Sequence, residues 1–162
     1  MMEALEAIQK RRSVRKFTGD IVPRADLEKI VDAGRLAATG SNRQPWDFIV
    51  VTDREMIDRL SVAGEWMRTA GAIIAVVLDP YSHWWLEDGP AAIENMLVAS
   101  TALGYGACWM EGNIHSHESK FKTLLYVPKG KRLLALIPVG VPADWSAVEK
   151  RPLESVLHWQ VY

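Results

Sequence analysis

Residues 70–78 read Ala70-Gly71-Ala72-Ile73-Ile74-Ala75-Val76-Val77-Leu78, an unbroken apolar run closed by Asp79-Pro80. A strand with one face in water alternates apolar and polar residues. A run apolar at every position predicts a strand buried on both faces, with helices above and below it. Leu133 to Val139 repeats the pattern, and Trp46 to Val51 and Ala107 to Met110 are shorter strand candidates. Between them lie helical patterns. Residues 3–10 read as a short helix with Leu5 and Ile8 on one side. Asp26 to Ala38 carries Leu27, Ile30, Val31 and Gly34 at helical spacing. A helix is expected to begin near Asp53. Asp88 to Leu103 is the longest predicted helix, with a stripe of Ile93, Met96, Leu97 and Ser100 and enough further apolar residues to belong in the interior. Gly104 is placed to end it. Strands interleaved with helices predict a layered α/β or α+β domain.

Composition bounds what such a domain does. At 162 residues the chain fits one domain, expected to span 1–162. Lys plus Arg number 19 against 20 for Asp plus Glu, a net charge of −1, so no bulk charge points to nucleic acid or an anionic membrane. The longest uncharged run, Asn95 to Met110, is too short and too polar to cross a bilayer. Cys108 is the single cysteine, which excludes an internal disulfide and makes a reducing compartment the expectation. A soluble, cytoplasmic chain is expected. Seven tryptophans and four tyrosines suit a well-filled core, a dimer interface or a flat aromatic ligand.

Four stretches carry candidate chemistry. Arg11-Arg12-Ser13-Val14-Arg15-Lys16-Phe17 puts Arg11, Ser13 and Arg15 on one side if extended, and Arg11 and Arg15 on one face if helical. Two guanidiniums and a hydroxyl in one place suit a phosphate; the alternative is a solvated basic patch. Ala38-Thr39-Gly40-Ser41-Asn42-Arg43-Gln44-Pro45 is a loop of small residues, hydroxyls and amides that could meet a planar heterocycle, or merely connect a helix to a strand. Leu103 to Gly112 combines a helix stop, a short strand and a glycine that would let the backbone approach a flat ring. Lys150-Arg151 adds two cations near the C-terminus, which taken alone read as surface charge.

Taken together and in order, these stretches resemble the nitroreductase family of FMN enzymes. The marks are Arg11-Arg12-Ser13-x-Arg15-x-Phe17, Ser41-Asn42-x-Gln44-Pro45-Trp46, the long helix into Leu103-Gly104-Tyr105-Gly106-x-Cys108-Trp109, and Lys150-Arg151-Pro152-Leu153-Glu154. The resemblance implies an α+β fold, a three-layer α/β/α sandwich around a mixed, mainly antiparallel sheet, in an interlocked homodimer. It implies that Arg11, Arg12, Ser13 and Arg15 hold the FMN phosphate, ribityl chain and pyrimidine edge, and that Lys150 and Arg151 complete the phosphate clamp. Ala38, Thr39, Gly40, Ser41 and Asn42, with Gln44 nearby, would contact the flavin of the other subunit. Met110, Glu111 and Gly112 would lie beside its N5. NAD(P)H is the implied co-substrate and a nitroaromatic, quinone or similar electron-poor compound the implied acceptor. A non-catalytic flavin carrier, or a flavin-modifying or dehalogenating relative, is the competing reading.

The chain departs from that pattern in places. Ala38-Thr39-Gly40 stands where many relatives have Pro-Ser-Ser, and Val148 stands at the first position of a common Lys-x-Arg. The chain is short for the family, so capping insertions are expected to be missing and Tyr81-Ser82-His83-Trp84-Trp85 could set substrate choice. No G-x-G-x-x-G follows a strand, so no separate dinucleotide fold is expected. Trp84 and Trp85 could stack on a substrate or simply pack. Cys108 reads as a buried structural thiol and Glu87-Asp88 as acidic residues at a helix start. His83, His115, His117 and His158 lack metal-site spacing, so no metal is expected.

Overall fold

A computed structural model describes residues 2–145 and 148–162. Its elements run α1 (Ala4–Lys10), α2 (Arg24–Arg35), β1 (Trp46–Val51), α3 (Arg54–Leu60), β2 (Ala72–Leu78), α4 (Trp85–Ala102), β3 (Gly106–Ala107), α5 (Ile114–Leu124) and β4 (Arg132–Gly140). The strands form one sheet in the order β1-β2-β4-β3, and every ladder is antiparallel. The parallel component is an isolated bridge between Ser13 and Ala107.

The apolar run of β2 is buried at every position because both faces are covered. Ala72, Ile74, Val76 and Leu78 point into one cluster with Leu27 and Ile30 of α2 and Ile93 and Met96 of α4. Ile73, Ala75 and Val77 point into a second cluster with Ile57 and Leu60 of α3 and Ile114, Phe121 and Leu124 of α5. The period-two alternation of a strand thus sorts its side chains between two helical layers. The result is the three-layer α/β/α sandwich. Among the described residues no helix is long and apolar enough to cross a membrane.

The element boundaries shift in instructive ways. α2 spans Arg24–Arg35, not 26–38, because Pro23 occupies the N-cap and Leu36 the C-cap. α4 begins a turn earlier than expected, at Trp85, and carries Pro90 within it. Pro90, the sixth residue of the helix, removes the donor that would reach the Leu86 carbonyl. Gly104, at φ +87°, ends the helix as expected. β3 is shorter than expected: only Gly106 and Ala107 form a ladder, and Met110 makes one isolated bridge to Leu136. α5 has no counterpart in the sequence reading. In α1 the buried residue is Ala7; Leu5 and Ile8 share a side but remain 75% and 56% exposed. The C-terminal segment 148–162 is exposed throughout and does not pack into the core of its own protomer.

Candidate functional site

After α1 the chain runs extended along the end of the sheet. The Val14 N–H donates to the Ala107 carbonyl (3.0 Å), the Thr18 N–H donates to that of Val141 (3.0 Å), and Phe17 bridges to Pro142. Val14 and Phe17 are buried and fix the segment. A Cβ on Gly106 would lie 2.7–2.8 Å from three Val14 atoms, so only glycine lets the two backbones come this close. The residues between these anchors then fall on the other side. Burial pushes the Cys108 thiol up from its ordinary range; the nearby Arg15, Ser13 and Arg11 act against that shift. The bridge of Ser13 to Ala107 brings the strip alongside Cys108, with Arg11 and Arg15 on either side of it in the chain. Cys108 itself is buried, in keeping with a structural thiol.

Each cation is held differently. The Arg11 side chain is 18% exposed and its Nε lies 3.1 Å from a Glu94 carboxylate oxygen on α4. Arg15 lies over the Trp66 ring, 5.9 Å from its centroid, a cation–π arrangement that fixes it without neutralising it. Trp66 packs between the Val14–Phe17 cluster and the α3/α5 cluster, which Met110 also joins. Arg12 turns back to α1, donating to the carbonyls of Gln9 (2.8 Å) and Arg11 (2.7 Å), where a cation suits the helix C-terminus.

On the neighbouring stretch, Met110 exchanges both backbone hydrogen bonds with Leu136, at 3.0 and 2.9 Å. The Glu111 carboxylate accepts from the Trp109 indole N–H (2.9 Å), and the Glu111 carbonyl accepts from the Ile114 N–H (2.7 Å). Among the described residues the Glu111 and Gly112 N–H groups donate to no protein acceptor. Two free backbone donors next to a cluster of cations suit an anionic or electron-rich ligand.

The structure thus brings Arg11, Ser13 and Arg15 together beside the Cys108–Gly112 stretch. It leaves the remaining expected residues apart within one protomer. The loop 38–44 stands over the start of α4: the Gly40 N–H donates to Asp88 (3.0 Å), and no hydrogen bond among the described residues links the loop to Arg11, Ser13, Arg15 or Gly112. Lys150 and Arg151 are exposed and make no ion pair among the described residues. A cavity between α2 and β1, lined by Ile21, Leu27, Val31 and Val50, contains none of the expected site residues. Asp88, expected merely as a charge at a helix start, is buried and cross-linked to the loop. Trp84 lies against Gly40 and Trp85 packs on the α2/α4 cluster beneath Arg132. Trp66, Asp88 and Glu94 were not among the expected site residues, since each acts on a segment far away in sequence. Among the described residues no group of three or more His, Cys, Asp or Glu side chains gathers to hold a metal.

Comparison with known proteins decides the family. The Nitroreductase family model matches residues 8–64 and 62–141. The chain belongs to the nitroreductase family. It is 37% identical over 155 residues to an Archaeoglobus fulgidus protein provisionally named NADH dehydrogenase/NAD(P)H nitroreductase, covering 89% of this chain and 88% of that one. It is 27% identical over 188 residues to an FMN reductase (NADPH) of Bacillus subtilis, covering 100% of this chain and 75% of that one. The fold superposes with a TM-score of 0.87 on the NfrA1 nitroreductase of B. subtilis, at 27% identity, covering 99% of this chain and 75% of that one. The three-layer architecture reached from the sequence is therefore the nitroreductase fold.

Proposed function

We propose that this nitroreductase-family chain is an FMN-dependent NAD(P)H oxidoreductase that works as a homodimer and reduces nitroaromatics, quinones or similar electron-poor acceptors in a ping-pong cycle. The observation that carries the reading is the extended segment that bridges to the sheet at Ser13, with Arg11 held by Glu94 and Arg15 over Trp66, together with the unengaged N–H groups of Glu111 and Gly112 on the stretch after Ala107. The donor set fits the cofactor. Guanidiniums match phosphate oxygens and the pyrimidine carbonyls, serine adds a neutral hydrogen bond, and free backbone N–H groups suit a ring nitrogen. Arg12 is engaged with α1 and would join only by exchanging those carbonyls for the ligand.

Bound FMN would supply a ring that takes up hydride from NAD(P)H and passes electrons to the acceptor. The protein supplies position and charge. Arg11, backed by Glu94, would hold the phosphate with Lys150, and Arg151 would assist. Arg15, kept charged and in place over Trp66, would stabilise the negative charge that reduction brings to the pyrimidine side. Met110, Glu111 and Gly112 would line the reactive edge, with a backbone N–H facing the ring nitrogen. Ala38, Thr39, Gly40, Ser41, Asn42 and Gln44 would reach the ring from the other subunit, which accounts for their distance from Arg11 within one protomer.

The C-terminal segment supports the dimer. Leu153, Leu157, Trp159, Val161 and Tyr162 are all exposed on the protomer, a density of apolar surface that calls for a partner. A second copy of this chain satisfies it and would bring Lys150 to a phosphate. Size-exclusion chromatography with light scattering is expected to give twice the chain mass, and deletion of 153–162 is expected to give monomers that lose FMN. A full-length monomer that holds FMN tightly would contradict the shared site.

The activity has a direct test. Purified protein, supplied with FMN if needed, is expected to be yellow, to bleach anaerobically with NADH or NADPH, and to regain colour with a quinone or nitroaromatic. Initial rates at several NAD(P)H concentrations are expected to give parallel double-reciprocal lines. Protein that takes up no FMN would overturn the reading, and bound FMN that NAD(P)H cannot reduce would favour a flavin carrier.

A further inference from the structure

The loop after α2 follows a backbone path that its residues do not favour. Ser41, Asn42 and Gln44 have φ of 53°, 55° and 49°, the left-handed region. Apart from asparagine and aspartate, side-chain-bearing residues such as Ser41 and Gln44 seldom enter that region, because the Cβ crowds the backbone carbonyl oxygen. Such a path persists only where the surroundings impose it. Contacts within the loop close the turn: Asn42 N–H to the Thr39 carbonyl at 3.1 Å, Arg43 N–H to the Gly40 carbonyl at 3.2 Å, and Gln44 N–H to the Thr39 hydroxyl at 3.3 Å. They do not fix where the turn sits.

That role falls to the start of α4, more than 40 residues along the chain. The Gly40 N–H donates to Asp88 Oδ1 at 3.0 Å across 48 positions. The Trp84 indole stands so close to Gly40 that a Cβ there would collide with its Cδ1. Asp88 is 4% exposed, and its other oxygen, Oδ2, is buried with no hydrogen-bond partner among the described residues, as is the Ser82 hydroxyl just before Trp84. Leaving a buried carboxylate oxygen unpaired is unfavourable. Asp88 is also not an N-cap: it lies inside α4, its own N–H donates to the Trp84 carbonyl (2.8 Å), and its carboxylate reaches out to the loop. Capping the helix therefore does not explain it, whereas holding the loop does.

We infer that Asp88 is a positioning residue for the cofactor site: its carboxylate and the Trp84 indole clamp Gly40, so that Ser41, Asn42 and Gln44 are presented in one conformation to a flavin bound across the dimer. The clamp stands on this chain's own geometry; its service to a flavin rests on the function proposed above. Asp88 does not touch the ligand. It acts through the Gly40 amide.

The test uses the full chain as wild type, Asp88→Ala and Asp88→Asn. Asparagine keeps a carbonyl acceptor for the Gly40 N–H and alanine does not. In FMN-free protein, amide exchange over 38–44 is expected to quicken at least tenfold in Asp88→Ala, to remain near wild type in Asp88→Asn, and to be unchanged in β2 and β4. FMN affinity, read by fluorescence quenching, is expected to fall at least tenfold in Asp88→Ala and to recover to within about threefold in Asp88→Asn, with a matching change in the visible flavin spectrum. Trp84→Ala removes a half-exposed side chain and carries the same expectation, should Asp88→Ala fail to fold. Unchanged loop exchange in the folded alanine variants would overturn the clamp. So would equal losses in Asp88→Asn and Asp88→Ala. Quickened exchange with unchanged FMN affinity would overturn the clamp's service to the flavin. A wild type that binds no FMN would instead sink the proposed function, while the exchange measurement still reports on the clamp.

Discussion

Replacing Arg11 with alanine is expected to weaken FMN binding by roughly 10- to 150-fold, the equivalent of losing a charged hydrogen-bonded contact of about 1.5–3 kcal/mol. The Arg11 side chain is 18% exposed, whereas Arg15 is exposed, and the Arg11 Nε is already oriented by Glu94. A guanidinium held in place loses less freedom on binding than a mobile one, so its removal should matter more than removal of Lys150 at the exposed C-terminal end. Stability should barely move, because Glu94 is half exposed and pairs of that kind contribute little. Arg11→Lys keeps the charge but not the fork and is expected to fall between the two. Fluorescence titration of FMN, with thermal unfolding of the FMN-free protein alongside, separates these effects. Unchanged affinity in Arg11→Ala would remove Arg11 from the phosphate site.

The second large effect concerns the fold. Phe121→Ala is expected to destabilise the protein by about 3–5 kcal/mol, the range for truncating a fully buried aromatic side chain. Phe121 is the largest fully buried side chain of the molecule, packs with Ile57, Leu60 and Leu136, and stacks on His117 with ring centroids 5.5 Å apart. Its removal opens a void where α5 meets the sheet. Urea unfolding at fixed protein and FMN concentration should show a lower midpoint with little change in slope. Leu36→Ala, at a position 64% exposed, serves as the control and should change stability by less than about 0.5 kcal/mol. Equal midpoints for Phe121→Ala and wild type would show that α5 is not integral to the core.

Phe121 also shows where the sequence is hard to read. Ile114–Leu124 has only Ile114, Phe121 and Leu124 as buried apolar positions, set among histidines, serine, threonine and lysines. Three anchors in eleven residues give too faint a periodicity to announce a helix, and the tertiary contact through Phe121 supplies what local pattern lacks. β2 and β4 are the opposite case: burial on both faces removes every polar residue from β2 and, after the exposed Arg132, from β4, so composition alone reveals them. The cations of the candidate site were legible for a related reason. Arg11, Ser13 and Arg15 lie two apart on an extended chain, so spacing alone puts them on one side. Trp66, Asp88 and Glu94 act across 48 or more residues of chain, and no local pattern announces a partner that distant. Trp159 and Tyr162, near the C-terminus, stay exposed on the protomer, and the pattern of a single chain does not specify what covers its surface.

The attachment of the amino-terminal strip also has a kinetic consequence. Ser13 leans on Ala107 and Phe17 on Pro142, contacts separated by about nine-tenths of a hundred residues or more. Nothing near Ser13 in the sequence can hold it. A ribosome must have delivered α4, β3 and β4 before the first guanidiniums can find their seat. The seat of the amino-terminal guanidiniums is thus built by the far end of the chain, and a chain cut off before β4 lacks it.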